Sequence, residues 1–590
     1  MGRRLAALLF LLSTLAAAAA LARRPHRRPV PPRVTISQEF HGDYREFAVA
    51  ADHPFASEAG ATILDAGGTA ADAAAATMLA LGVANPASSG LGGGGFLLYY
   101  RASDQSLHFL DFRERGPAAS TPDMFVGTEP PMEGPANAAS QLGGLASGVP
   151  GEAAGIVTMV ERFGRLQLDR VVAPAVALAE GGVPITAQLA EGSRFFGAQM
   201  KEDPLMARWL GDDDVLVEGE TLVQPELART LRALGRRGRA GFYEGRVARQ
   251  IVAANRRTGG IMTLQDLRDY TVVEREPLRA ERFGMRWVTA PPPSAGGFTL
   301  LQSLGVLERI PARWRGAGAT ADYAHALAES WKGPFLDRQR YFGDPDHVEL
   351  PLAAMGLSTR VDAIAAAFHP SLAMPSRDYD VPIEAAQNAD QPEDHGTSHL
   401  CVIDAAGNIA AVTTTVNLVF GARYTAAGMV MNDEMDDFAR EVGQANAFGL
   451  VGGAPNLPGP GKRPISSMSP TIVFRGDRPV LCAGAAGGSR IITATQQVAM
   501  NQLILGMGSA DAMAAPRIHH QGGALRTEEF APIDDARLEA LLARGHAHRP
   551  IHHVAAVQAI AIAEDGTITA TSDPRKGGRP AGRYTRSRVI

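Results

Sequence analysis

Apolar positions recur at helical spacing in the first half of the chain and alternate or run in short blocks in the second half. Pro54 to Asp65 reads as a helix closed by Gly67 and Gly68, and the Ala-rich run Ala70 to Leu81 as another, ended by Asn85-Pro86. The apolar run Phe96 to Tyr100 and a strand from Leu107 to Phe112 follow, the strand leading into Arg113. Residues 150–290 look mainly helical, with Thr263 and Asp266 spaced as a capping box. Residues 291–297, PPPSAGG, fit neither helix nor central strand and predict a rigid turn. Helical spacing returns from Ala321 to Arg340, and residues 371–396 are polar and acidic, as in an exposed linker.

After that linker the pattern turns to strands: His399 to Asp404, Ile409 to Thr415, Thr471 to Phe474, Pro479 to Ala483 and Val554 to Ile562. Gly407-Asn408 marks a hairpin turn. Helices and strands mix without the regular alternation of a doubly wound sheet. A sheet sandwich covered by helices fits this α+β order, although local pattern alone does not select it.

The chain has 590 residues, 20% charged and 45% hydrophobic, with a formal net charge of -5. That balance excludes a disordered chain and disfavours nucleic acid as a partner. Arg3 and Arg4 followed by the apolar run Leu5 to Ala20, with Ala20-Leu21-Ala22 as a small-x-small site, predict a signal peptide over 1–22 and export to the periplasm or medium. Residues 23–46 read as a flexible lead-in. After signal removal no run is long enough to predict a stable membrane span. Cys401 and Cys482 lie in apolar strand-like runs and are expected as buried thiols, with a disulfide open in an oxidising compartment.

The chemistry concentrates at Gly396-Thr397. A Thr hydroxyl is a weak nucleophile, but cleavage before it frees an α-amine of ordinary pKa about 7.7–8.0 that can serve as its base. Thr415 and Asn417, two apart on a strand, share one face. The pair Gly487-Gly488 lets backbone N–H groups converge as an oxyanion hole requires. GAAGGSR lacks the lysine of a phosphate-binding loop, and Gly92 to Gly95 lack dinucleotide-fold spacing.

These stretches, with LGGGGF at 91–96, DFRE at 111–114, PPPSAGG at 291–297, GTSH at 396–399, TTTVN at 413–417, NDEMDDF at 432–438, GGSR at 487–490, PRIHHQ at 516–521 and SDPR at 572–575, resemble the γ-glutamyltransferases of the N-terminal nucleophile hydrolase superfamily. The resemblance runs from about residue 47 to 585. It implies a four-layer αββα sandwich and self-cleavage at Gly396-Thr397 into chains 23–396, in which the large subunit proper spans 47–396 after the lead-in, and 397–590. It also implies that γ-glutamyl groups pass from glutathione or related amides to water, an amino acid or a dipeptide, without a cofactor.

The resemblance assigns Thr397 as nucleophile, Thr415 as partner of its amine, and Gly487 and Gly488 as oxyanion hole. Arg113, Ser466 and Ser467 would hold the substrate carboxylate, and Asn417, Glu434 and Asp437 its ammonium. Residues 438–463 would form a lid bearing Phe448. Gly396, Ser398, Ala485 and Ala486 depart from the common pattern and bear on maturation and rate. The histidines 519, 520, 546, 548, 552 and 553 are read as surface or core residues rather than as a metal site. Two alternatives remain: a glutaryl- or cephalosporin-type acylase on the same fold, and a catalytically silent binding protein.

Overall fold

The computed structural model describes residues 40–127, 139–315, 318, 320–379 and 396–583. The predicted signal peptide, most of the lead-in and the linker segment 380–395 lie outside the described residues. Two seven-stranded sheets face each other. One carries at its centre the hairpin Gly396–Ile403 and Ile409–Asn417, flanked by Ala48–Ala51 and Gly94–Arg101. The other is built around Arg478–Ala486, with Thr471–Arg475 and Ala556–Ile562 beside it.

The expected four layers follow from burial. Helices Ala70–Ala84 and Glu152–Phe163 cover the outer face of the first sheet, and helices Gly296–Arg309, Ala321–Tyr341 and Arg490–Leu503 lie on the side of the second. A strand buried on both faces cannot alternate polar with apolar. Gly396–Ile403 and Ile409–Asn417 are accordingly buried at every position. The Ala70 helix is buried at 14 of its 15 positions, and its small side chains let it sit against the hairpin. Thr69 and Asp72 form its capping box.

Most predicted elements appear, and several expectations change. His41–Tyr44, within the stretch read as a flexible lead-in, is a strand paired with Ile568–Ser572. Within the stretch read as mainly helical, Val273–Arg275, Leu278–Arg282 and Met285–Thr289 are strands. Arg279, Glu281 and Arg286 face outward on an edge hairpin, which hides the apolar alternation, and the Phe283-Gly284 turn takes positive φ at both residues without the usual Asn-Gly signal. Cys401 and Cys482 are not free thiols: they form a disulfide across the two sheets, with Cα atoms 6.2 Å apart. Among the described residues, no helix is long and apolar enough to cross a membrane.

The disulfide and its neighbours also set the alignment of the sheets. Cys401 meets Cys482, and two residues away a Cβ at Gly484 would strike the His399 ring. The facing strands therefore run in opposite directions. Replacing both cysteines by Ala should cost about 2–4 kcal/mol and lower the melting temperature. An unchanged melting temperature under oxidising conditions would contradict the bond.

Candidate active site

Two more residues along that alignment, Thr397 comes opposite Ala486, and Gly487-Gly488 follow at once. The nucleophile candidate and the glycine pair thus lie at the same end of the sandwich. Gly487 and Gly488 have φ of 145° and 57° and join the strand end to the helix starting at Arg490. Only glycine takes these conformations readily. A Cβ at Gly488 would also meet the ring of Phe448 at 2.6 Å.

The hairpin is irregular where the chemistry is expected. Gly396 pairs with Asn417 and Thr397 with Thr415, so Val416 is the extra residue of a β-bulge. Asn417 sits at φ 79°, a conformation that Asn tolerates better than most residues. The bulge turns the Thr415 hydroxyl toward the Gly396-Thr397 peptide. It donates to the Gly396 carbonyl at 2.7 Å and accepts from the Asn417 N–H at 2.8 Å. Thr397 Oγ1 is 2.9 Å away and, since the Thr415 proton is committed, donates to Thr415. The carbonyl of one particular peptide bond is thereby polarised beside a hydroxyl.

Gly396 has a packing reason to be glycine, because a Cβ there would lie 2.1 Å from the Leu418 carbonyl oxygen. On the other side of Thr397, Lys576 Nζ donates to the Thr397 carbonyl oxygen and pairs with Asp52 at 3.1 Å. Asp52 is fixed in turn by Gln558 at 2.7 Å. All are buried.

The charged half of the site gathers around Arg113, at the end of Ser106–Phe112. A single 3-10 turn, Glu434–Asp437, brings Glu434 and Asp437 to the same guanidinium. Nη1 bonds Glu434, and Nη2 bonds Asp437 at 2.6 Å and the Ile465 carbonyl at 3.0 Å. Nε donates to the Pro464 carbonyl at 3.3 Å. Groups expected to hold a carboxylate and an ammonium separately are thus paired with one another.

Burial opposes the Arg113 charge, and Glu434, Asp437 and Glu114 outweigh it, holding the guanidinium above its ordinary value. Burial pushes Glu434 up to about 7 despite the neighbouring Arg113. Burial, and after it the charge of Glu434, drives the Glu114 carboxyl well above its ordinary value.

Ser466 and Ser467 stand next to this cluster. Ser466 Oγ accepts from the Met468 N–H at 3.1 Å, and Ser467 Oγ accepts from Arg338 Nη2 at 3.1 Å. The PPPSAGG turn buttresses them: Ser294 Oγ donates to the Met468 carbonyl at 2.5 Å, and a Cβ at Gly296 would come within 2.3 Å of the Ser467 carbonyl oxygen. Asn417 is nearby, its amide donating to the Asp433 carbonyl at 3.0 Å.

The segment around Phe448 closes over these groups. Asn446 Nδ2 bonds Asp437 at 3.0 Å, and Asp436 accepts from the Ala447 N–H at 2.9 Å. Gln521 Nε2 holds the Phe448 and Gly449 carbonyls at 3.1 and 3.3 Å, while its Oε1 accepts from Ser489 at 2.5 Å. Gln521 therefore ties the Phe448 segment to the residue after the glycine pair.

Of the histidines, His519 joins this network, lying between Thr493 and Gln521, while His548 bonds Thr527. His546 meets His325 at 2.8 Å, beside Glu329. There Lys332 Nζ occupies Glu329 at 2.6 Å, supplying the cation that the carboxylate needs. Sequence reasoning missed Lys576, Asp52, Glu114, Arg338 and Gln521. DFRE and PRIHHQ contained two of them, and Lys576 directly follows SDPR.

The γ-glutamyltranspeptidase family profile matches residues 56–583. The chain is 37% identical to the glutathione hydrolase proenzyme of Escherichia coli (strain K12), covering 88% of this chain and 89% of that one. It is 33% identical to the corresponding proenzyme of Bacillus subtilis (strain 168), covering 90% and 91%. Among solved structures, it matches the γ-glutamyltranspeptidase of Helicobacter pylori at 34% identity and a TM-score of 0.51, over 55% of this chain and 92% of that one. A cephalosporin acylase from Bacillus halodurans shares the fold, with a TM-score of 0.77 at 24% identity over 95% of this chain and 99% of that one. On the match over most of its length, the chain belongs to the γ-glutamyltranspeptidase family, as an enzyme of the N-terminal nucleophile hydrolase fold.

Proposed function

We propose that this protein is an exported glutathione hydrolase and γ-glutamyltransferase that matures by cutting itself before Thr397. The observation that carries the reading is the shared hydroxyl of Thr415, which bonds the Gly396 carbonyl and lies 2.9 Å from Thr397 Oγ1. In maturation, Thr397 Oγ attacks the Gly396 carbonyl carbon and its proton passes to the departing Thr397 nitrogen. The resulting ester is hydrolysed. The products are chains 23–396, after loss of the signal peptide, and 397–590. Both remain together, since each sheet contains strands from both chains.

In turnover the freed Thr397 amine takes the hydroxyl proton as Oγ attacks the γ-carbonyl of the substrate. The oxyanion is received by the N–H groups of Gly487 and Gly488. Collapse of the adduct expels the amine, cysteinylglycine in the case of glutathione, protonated by Thr397. Water then releases glutamate, or an amino acid or dipeptide takes the γ-glutamyl group.

An α-amino acid head suits the paired charges better than a plain glutaryl group. Its carboxylate and ammonium exchange with the partners of an existing ion pair, so no net charge is buried. Thr397→Ala should abolish turnover of a γ-glutamyl anilide, and wild-type protein should prefer that anilide to the glutaryl one. An active Thr397→Ala variant contradicts the mechanism, and a glutaryl preference moves the protein to the acylases.

Thr415→Ala should slow self-cleavage by about 100-fold, the order of magnitude of losing one oxyanion donor. Time courses of chain cleavage measure it, and cleavage at the wild-type rate would remove Thr415 from the step.

The charged site also implies a pH dependence. With Glu434 raised to about 7, its carboxylate is available to an ammonium above that pH and increasingly protonated below it. KM for the γ-glutamyl anilide should therefore rise as pH falls through 7. Glu434→Gln should flatten that rise, and a Gln variant with the wild-type profile would assign the titration elsewhere.

A further inference from the structure

Thr397 lies beyond the end of one of its neighbouring strands. Ala48–Ala51 pairs with residues 400–403 and ends there, three residues short of Thr397. A buried carbonyl past the end of a ladder needs another donor. For Thr397 that donor is Lys576 Nζ.

Lys576 is placed there by its surroundings. Asp52, the first residue after Ala48–Ala51, pairs with Nζ at 3.1 Å, and Gln558 Nε2 donates to Asp52 Oδ1 at 2.7 Å. A Cβ at Gly578 would come within 2.3 Å of the Ala51 carbonyl oxygen, so the segment after Lys576 is pressed onto the same strand end. Both charged side chains are 0% exposed. A neutral donor would serve one carbonyl without the cost of a buried ion pair.

The charge gains a role once the chain is cut. Three covalent bonds separate the Thr397 carbonyl oxygen from the Thr397 nitrogen, so the freed α-amine and the Lys576 ammonium stand a few Å apart. A like charge at that range opposes protonation of the amine. Of the ion pair, the ammonium is the member bonded to Thr397.

The other charged or titratable groups around Thr397 are neutral or matched. His399, on the same strand face, is pushed down to about 3 by burial, and His53, next to Asp52, to about 4. Arg490, after the glycine pair, donates to the Gly487 and His553 carbonyls, and burial drives His553 well below its ordinary value. Asp433 faces Arg423 at 3.6 Å, and Arg113 holds Glu434 and Asp437, with the raised carboxyl of Glu114 beside them. Arg517 and Arg575, close to Lys576 in the chain or the fold, pair with Asp573 and Glu528. Glu152 bonds Thr414, the neighbour of Thr415 on the strand.

We propose that Lys576 is a positioning residue of the nucleophile: carried by Asp52, it fixes the Thr397 carbonyl and keeps the freed α-amine unprotonated, ready to take the hydroxyl proton. Asp52 belongs to chain 23–396 and Lys576 to chain 397–590, so the chain without the nucleophile sets the charge beside it. The inference rests on the self-cleavage and γ-glutamyl reading above and adds the group that tunes its base.

The test is kcat at saturating γ-glutamyl p-nitroanilide from about pH 5 to 10, on processed wild type, Lys576→Gln and Lys576→Arg. At saturation the acid limb reports groups of the substrate complex, where the Thr397 amine is the base. In wild type the limb should lie below the ordinary α-amine value of about 7.7–8.0. Lys576→Gln keeps a hydrogen-bond donor and loses the charge, and Asp52 left behind acts in the same direction. It should move the limb up by about one pH unit, the low end of the effect of one neighbouring charge. Lys576→Arg should leave the limb near its wild-type position. A uniform loss of kcat with an unmoved limb would mean a packing role and overturn the proposal. If Lys576→Gln does not mature, wild type and Lys576→Arg carry the test: a limb below the ordinary range that Arg preserves supports the proposal, and a wild-type limb within or above that range overturns it. Wild-type protein that is uncut, or inactive on the anilide, overturns the parent reading and this one with it. A processed, active wild type whose limb the Gln variant does not move overturns this one alone.

Discussion

The site depends on one bulged strand pair. In a regular hairpin, Thr397 and Thr415 would simply be cross-strand neighbours in a buried sheet. The extra residue Val416 turns Asn417 into a left-handed conformation and lets its N–H hold the Thr415 oxygen. That hydroxyl is then committed to the Gly396 carbonyl. Each partner is satisfied only if the others are in place, and the whole arrangement is buried, where loose geometry is costly. Gly396, packed against the Leu418 carbonyl, and Lys576, bonded to the Thr397 carbonyl, fix the chain on either side.

The rest of the fold presents this pair to a substrate. Facing strands that run in opposite directions carry Gly487-Gly488 to the end where Thr397 lies. The PPPSAGG turn supports Ser466 and Ser467. The turn Glu434–Asp437 links the charges to the Phe448 segment, because Asp437 serves both Arg113 and Asn446. A group that displaces part of the Arg113 network thus acts on that segment through a shared carboxylate, and Gln521 connects the same segment to Ser489, next to the glycine pair.

What was legible in the sequence was local. GTSH after a polar linker, TTTVN at a strand end and NDEMDDF within one turn all gather their polar groups within a few residues, although the Val416 bulge breaks the shared face expected of Thr415 and Asn417. The apolar runs around them predicted the hairpin and its neighbours. Arg338 was not legible: it reads as one more charge on a helix, and its partner Ser467 is 129 residues away. Lys576 is 179 residues from the carbonyl it holds, and His325 is 221 from His546. The edge hairpin at Leu278–Thr289 hid behind outward Arg and Glu. The disulfide needed the facing of two sheets, which no single strand encodes.

If the Thr415-polarised bond before Thr397 is the one the protein cuts, denaturing intact-mass analysis of purified wild-type protein, with N-terminal sequencing of the products, should find two chains, the smaller beginning at Thr397 and ending at residue 590. A single uncut chain, or a cut at any other bond, would show that this bond is not the processing site.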